Sequence, residues 1–306
     1  MVGHYKLKKP IGRGANATTY LAETDTGDIA VKRLLRTAGN YPEKLAHLRE
    51  EVRVNHDLQS KTGFEHSNII RVYELRRRLF FKGHDLLMEY FPGITLSYFS
   101  ETKPHSTQDY SLSAVLYMRK VLEALRFMHN AGYIHGDVGS ANILVRNSDL
   151  RLIDLGFAEN IGNPLLRLRG TKKYSAPEQI LVPLILDYGN LIDTSGMGDA
   201  LKTHPRIDIF NLGRAMYEFL GGKVLSSFDS EGKGKVVTEM DVTQSIKKLS
   251  RFPSSLDDKV ALSLDCQVPE TSHKLLSVLE GCLIPNPLKR FQSADEVLAA
   301  LDSIRI

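Results

Sequence analysis

The sequence predicts an α+β protein of two lobes, a small antiparallel sheet carrying one helix followed by a larger, mainly helical lobe. Three observations lead there. Alternating apolar runs punctuated by turn residues fill the first third of the chain, and helical i, i+3, i+4 spacing dominates the rest. A short Phe91-Pro92-Gly93 connection separates the two patterns and suits a hinge. The length agrees, since 306 residues is long for one core, and single cores stop growing at roughly 250–300 residues. The expected boundaries are 1–90 for the first lobe, 91–93 for the hinge and 94–306 for the second.

In chain order, "HYKLKKPIGRG" and "ATTYLAETD" read as strands flanking a Gly-rich turn. "GDIAVKRLL" follows the turn at Thr26-Gly27, and "DLLMEYF" is a later apolar strand. Between them, "PEKLAHLREEVRVNHDLQ" begins with a proline suited to a first helical turn and repeats Leu45, Leu48, Val52 and Leu58 at broadly helical spacing. Beyond the hinge, "SLSAVLYMRKVLEALRFMHNAG" is a long amphipathic helix stopped at Gly132. Further helices are expected in "PRIDIFNLGRAMYEFLGG", "TSHKLLSVLEGCLI" and "SADEVLAALDSI". Residues 181–205, with Gly189, Gly196 and Gly198, read as a poorly patterned insertion.

Composition excludes several classes. The chain is 42% hydrophobic and 25% charged, ordinary values for a globular protein. A formal charge of +4 and a pI near 8.9 come from scattered basic residues with short runs such as Arg76-Arg77-Arg78, so no nucleic-acid partner is expected. Two cysteines, Cys266 and Cys282, make neither a disulfide framework nor a metal-ligand spacing. No apolar run is long enough to span a bilayer, and "MVGHYKLKKPIGRG" lacks the apolar core of a signal peptide. A cytoplasmic protein without a membrane partner is the expectation; the sequence leaves its oligomeric state open.

Chemistry concentrates in a few places. Gly12 and Gly14 in "IGRGANATTY" lie between two strands, where backbone N–H groups can approach phosphates. Because no helix starts there, a dinucleotide-fold fingerprint is disfavoured. Lys32 ends "DIAVK" and could hold phosphates if a carboxylate fixed it; the helix offers Glu51, the preferred partner, or Glu50. "HGDVGSANIL" carries Asp137 and Asn142, and Asp154 follows in "LRLIDLGFAE". Strands "NILV" and "LRLID" around Asn147-Ser148-Asp149 would bring Asn142 and Asp154 together as hard oxygen ligands for Mg²⁺, leaving Asp137 to accept a hydroxyl proton.

Taken together these residues resemble the eukaryotic-type protein kinase family over nearly the whole chain. The resemblance rests on Gly12 and Gly14, Lys32 in "IAVK", "HGDVGSAN", the D-F-G position at Asp154-Leu155-Gly156, "GTKKYSAPE" ending at Glu178, "DIFNLG" with Asp208, and Arg290 in "NPLKR" as the partner of Glu178. It implies ATP and Mg²⁺ as cofactors and protein substrates as partners. It also implies an adenine site of Ile11, Thr19, Ala30 and Leu144, with Met88 as gatekeeper and backbone groups of Glu89 and Phe91 binding the base.

The chain departs from that family at four points. Ala17 stands at the third glycine, with Asn16 at the usual aromatic tip. Gly136 replaces the arginine of H-R-D, which in relatives pairs with a phosphate on the activation segment. That segment, "LGFAENIGNPLLRLRG", contains no Ser, Thr or Tyr before Thr171, so activity without its phosphorylation is expected. Gly139 occupies the place of a lysine that touches the γ-phosphate, and the interval from Glu178 to Asp208 is longer than the family norm. Thr171 favours Ser/Thr as acceptors. Two alternatives stay open: a small-molecule phosphotransferase, because aminoglycoside and choline kinases share H-G-D, and a non-catalytic pseudokinase scaffold.

Overall fold

The alternating runs of the first third form a five-stranded antiparallel sheet: β1 (Tyr5–Arg13), β2 (Thr18–Thr24), β3 (Gly27–Leu35), β4 (Val72–Arg78) and β5 (Gly83–Glu89), in the order β1-β2-β3-β5-β4. This computed structural model describes residues 2–14, 17–63, 65–78, 83–102, 108–166, 170–187, 198–222, 260, 262 and 270–304. Asn16, Cys266 and residues 188–197 of the expected insertion lie outside them. Strand β4, "VYELRRR", is an addition to the strands read from the sequence. Its arginines obscure the apolar alternation because it is the sheet's edge, where charged side chains discourage further strand pairing.

Strand alternation gives the sheet two faces. Ile29, Val31 and Leu87 join Ala22 on one. Ala30, Leu34, Leu86 and Met88 cover the other and pack with Leu45 and Leu48 of α1 (Tyr41–Thr62). Lys32 lies between Ala30 and Leu34 in sequence at the same parity, so it projects to the α1 side. The helix has proline in its first turn and closes at Gly63, whose N–H donates to the Gln59 carbonyl from a left-handed φ of 74°. Its buried stripe is Leu45, Leu48, Glu51, Val54, Asn55 and Leu58. Val52, expected on that stripe, is half-buried beside it.

Contacts divide the chain into two compact units, Met1–Ile94 with Leu144–Ala158, and Thr95–Ile143 with Glu159–Ile306. The hairpin of β8 (Ile143–Arg146) and β9 (Asp149–Leu152), turned by Asn147 at φ 54°, therefore groups mainly with the sheet, although helical sequence flanks it on both sides. Backbone bonds tie β9 to the approach to β4: Leu152 N–H donates to the Asn68 carbonyl at 2.7 Å and Ile70 N–H to the Leu152 carbonyl at 3.0 Å.

The second unit is helical: α2 (Leu96–Thr102), α3 (Gln108–Asn130), α4 (Pro177–Asp187), α5 (Arg206–Phe219), α6 (Glu270–Cys282) and α7 (Ala294–Asp302). The two-residue strand β6 (Ile94–Thr95) precedes α2, and short strands β7 (Tyr133–Ile134) and β10 (Glu159–Asn160) pair antiparallel beside the end of α3. Helix α5 is buried almost all round, and Gly213 lets α6 approach it closely; a Cβ there would lie 2.8 Å from that of Cys282. Residues 181–187 of the expected insertion continue α4, although Pro183, its seventh residue, removes one interior hydrogen-bond donor. Among the described residues no helix is long and apolar enough to cross a membrane. The architecture is the expected α+β class.

Candidate functional site

In the first unit, the α1 face of the sheet gathers charge around one lysine. Lys32 Nζ lies 3.0 Å from Glu51 Oε2 and 2.9 Å from Asp154 Oδ2. Of the two candidate glutamates Glu51 is the buried one; Glu50 pairs with Arg53 along the helix surface. Burial pushes the Glu51 carboxyl up to about 7, against the pull of Lys32. Burial also works against the lysine's charge, but Asp154 and Glu51 outweigh it and hold its pKa above the ordinary value. Lys32 stays protonated.

Asp154 itself sits at φ 66°, ψ 72°, a left-handed conformation that costs a non-glycine residue roughly 1–3 kcal/mol and persists where surroundings over-determine it. Those surroundings are the ion pair to Lys32 and the packing of the next residues on α1. Leu155 is fully buried, and the Phe157 ring lies 4.5 Å from that of His47.

The other residues expected around a nucleotide belong to this unit too. Gly12 is paired with Thr19, Thr19 with Lys32, and Ala30 with Met88. Ala30 and Met88 are buried, Ile11 is exposed, and Leu144 is half-buried on β8. Gly14 N–H closes the β1–β2 turn on the Ala17 carbonyl at 3.0 Å. Arg151, which the sequence reading passes over, braces Glu89 and Phe91 from β9. Its Nε donates to Glu89 Oε1 at 3.0 Å and its guanidinium lies 4.8 Å from the centre of the Phe91 ring. The Phe91 carbonyl also accepts from Gly93 N–H at 2.8 Å.

In the second unit, "HGDVGSAN" hangs from a buried carboxylate. Asp208 accepts from the N–H groups of His135 and Gly136, each at 2.8 Å, and lies 2.9 Å from His129 Nε2. Gly136 has a φ of 78°, where glycine avoids the strain any other residue would carry. Asp137 follows, its Oδ1 accepting from Thr171 N–H at 2.6 Å and its Oδ2 from Asn142 Nδ2 at 3.0 Å. Asn142 Nδ2 also donates to the Asp137 carbonyl at 2.9 Å. The loop is tied to the segment after Thr171 by Gln179, which donates to the Gly136 carbonyl and accepts from Asn211 and from Ala176 N–H. Asn211 sits inside "DIFNLG" and Gln179 directly follows "GTKKYSAPE", but nothing in the sequence marks them as hubs.

Gly139 has a steric explanation. A Cβ there would lie 2.7 Å from Cδ2 of Tyr174, so the tyrosine ring covers the spot where a side chain would begin. Tyr174 cannot easily yield, because its hydroxyl donates to Glu218 at 2.5 Å and lies 2.7 Å from Ser140 Oγ. Gly139→Ala is expected to lower stability by about 1–3 kcal/mol through overpacking. In a Tyr174→Ala background most of that loss should vanish, and denaturant unfolding of the four proteins measures it.

The end of that segment is anchored by Glu178 and Arg290, a two-pronged ion pair at 2.7 and 3.1 Å with both side chains buried.

The family model described as a protein kinase domain matches residues 5–300. A probable serine/threonine-protein kinase of Streptomyces coelicolor is 26% identical over 98% of this chain, and a serine/threonine-protein kinase of Corynebacterium efficiens is 24% identical over 99% of it. A mitogen-activated protein kinase of Schizosaccharomyces pombe is 27% identical over 95% of the chain and 78% of its own length. The chain spans only 40% and 51% of the length of the two bacterial relatives. With its charged cluster at Lys32, its loop around Asp137 and its Glu178–Arg290 anchor matched in sequence over residues 5–300, the chain belongs to the eukaryotic-type protein kinase family.

Proposed function

We propose that the protein transfers the γ-phosphoryl group of ATP, with Mg²⁺, to Ser/Thr hydroxyls of protein substrates in the cytoplasm, without needing a phosphate on its activation segment. The observation that carries this reading is Lys32, held between Glu51 and Asp154 at 3.0 and 2.9 Å.

The residues fit both cofactors. A Cβ at Gly12 or Gly14 would meet only ordinary contacts, at 3.8 and 3.7 Å, so packing within the protein does not demand glycine there. The open backbone suits close approach of phosphates. Ala30 and Met88 provide an apolar floor beside Lys32. Asp154 and Asn142 each offer a hard oxygen of the kind Mg²⁺ takes. The Asn142 amide nitrogen makes the two bonds to Asp137, and its oxygen, the ligating atom, takes part in neither.

Mg²⁺, when bound, would supply positive charge to offset that of the phosphates. The chain supplies the rest. Lys32 presents a fixed positive charge to the phosphates, restrained by Glu51 so that little reorganisation is needed. Arg151 steadies Glu89 and Phe91, whose backbone groups orient the base. Asp137 accepts the substrate hydroxyl proton at a carboxylate oxygen. With Gly136 in place of an arginine, the loop holds no guanidinium awaiting a phosphate; Asp208 and Gln179 fix it instead.

A small-molecule phosphotransferase is disfavoured by the buried Glu178–Arg290 anchor, which resembles the close of a protein kinase activation segment. Purified protein incubated with γ-labelled ATP and Mg²⁺ is expected to place label in phosphoserine or phosphothreonine of a protein acceptor. Label on choline or an aminoglycoside would favour the small-molecule reading, and no transfer at all the scaffold reading.

A further inference from the structure

Two polar side chains interrupt the buried stripe of α1. Glu51 meets Lys32; Asn55, one turn later, is only 4% exposed and lies away from that pair. Its neighbours on the helix, Val54 and Leu58, are buried and apolar, so an unpaired amide here would be costly to desolvate. It is paired. Nδ2 donates to the Ile70 carbonyl at 2.9 Å, and Oδ1 accepts from Val72 N–H at 3.1 Å and from Gln59 Nε2 at 3.2 Å. A carbonyl on one side and an N–H on the other also settle which way the amide faces.

The point it grips is well fixed. Val72 opens β4 and is paired with Met88 of β5, while Ile70 N–H binds the Leu152 carbonyl of β9, two residues before Asp154. One side chain thus joins the helix carrying Glu51 to backbone shared by the strands carrying Met88 and leading to Asp154. A helix that slid or rotated would break both bonds and leave a buried carbonyl and N–H without them.

We propose that Asn55 is a positioning residue that pins α1 to the start of β4 and thereby keeps Glu51 at Lys32 with no phosphate or partner protein acting on the helix. Its catalytic consequence rests on the kinase reading above; its structural consequence does not. Asn55 holds Glu51 in place much as Gly136 relieves the loop of a phosphate, and both make the active arrangement the resting one.

A double-mutant cycle with Glu51→Gln and Asn55→Leu tests it, with hydrogen exchange of all four proteins measured alongside kcat. Asn55→Leu keeps the volume and removes both tethers; it is expected to lower kcat about tenfold in the wild-type background and less than twofold once Glu51 is Gln. Exchange of α1 amides should quicken at least tenfold while β2, β3 and β5 keep their protection. Asn55→Asp retains the acceptor for Val72 N–H and should fall between, and it carries the test if the leucine variant does not fold. Equal losses in both backgrounds, or exchange rising uniformly through the unit, would show a merely structural residue and overturn the proposal. A wild type that transfers no phosphoryl group sinks the kinase reading, whereas α1 exchange still decides whether Asn55 holds the helix.

Discussion

Arg290→Ala is expected to cost about 3–5 kcal/mol of folding stability, the usual loss when one partner of a buried ion pair is removed. The arginine spends all five donors. Its terminal nitrogens reach both Glu178 oxygens and the carbonyls of Arg206 and Pro285, and Nε reaches the Ile284 carbonyl at 2.9 Å. It also stacks on Phe210, 4.6 Å from the ring centre. Alanine leaves the Glu178 carboxylate and three carbonyls without these donors, which is why truncation costs more than the pair itself contributes. Against a typical total of about 5–15 kcal/mol the loss is severe. Urea unfolding of Arg290→Ala, Glu178→Ala and the double variant measures it, and the double variant should lose markedly less than the sum of the singles.

Lys32→Ala is expected to lower kcat by about 10²–10³-fold, the loss that follows removal of one preorganised charge-stabilising group. Its effect on stability should be much smaller than that of Arg290→Ala. Glu51, already pushed up to about 7 by burial, can take a proton near neutral pH once its partner is gone, so no obligatory buried charge is stranded. Lys32→Arg should not restore activity, because a planar guanidinium does not replace a compact ammonium between two carboxylates. Steady-state kinetics and melting temperatures of the three proteins separate these outcomes.

Much of this was legible in the chain because single residues carried it. The strands flanking Gly12 and Gly14, the helix offering Glu51 and the hairpin between Asn142 and Asp154 follow from local alternation, helical spacing and turn residues. Glu51 over Glu50 was readable as a preference, since only one of two neighbours can face the sheet. What escaped depends on contacts between distant segments. Gly139 reads as a missing lysine until Tyr174 is found against it, and Arg151 reads as an exposed strand residue until it is found bracing Glu89 and Phe91. Asn55 breaks the apolar pattern of α1, and only its bonds to the Ile70 and Val72 backbone explain why. Edge strand β4 hid behind Arg76, Arg77 and Arg78, charged side chains that suit an edge and mask the apolar alternation.

A loop with Gly136 and Gly139 is expected to work as a phosphotransfer loop without a phosphorylated segment. The measurement is the initial rate of label transfer from γ-labelled ATP with Mg²⁺ to protein, by phosphatase-treated wild type beside Asp137→Ala. The treated wild type should keep its rate within twofold of the untreated protein, and Asp137→Ala should fall about 10²–10⁴-fold, the contribution expected of a positioned general base. A wild type silenced by phosphatase, or an Asp137→Ala protein as active as the wild type, would contradict it.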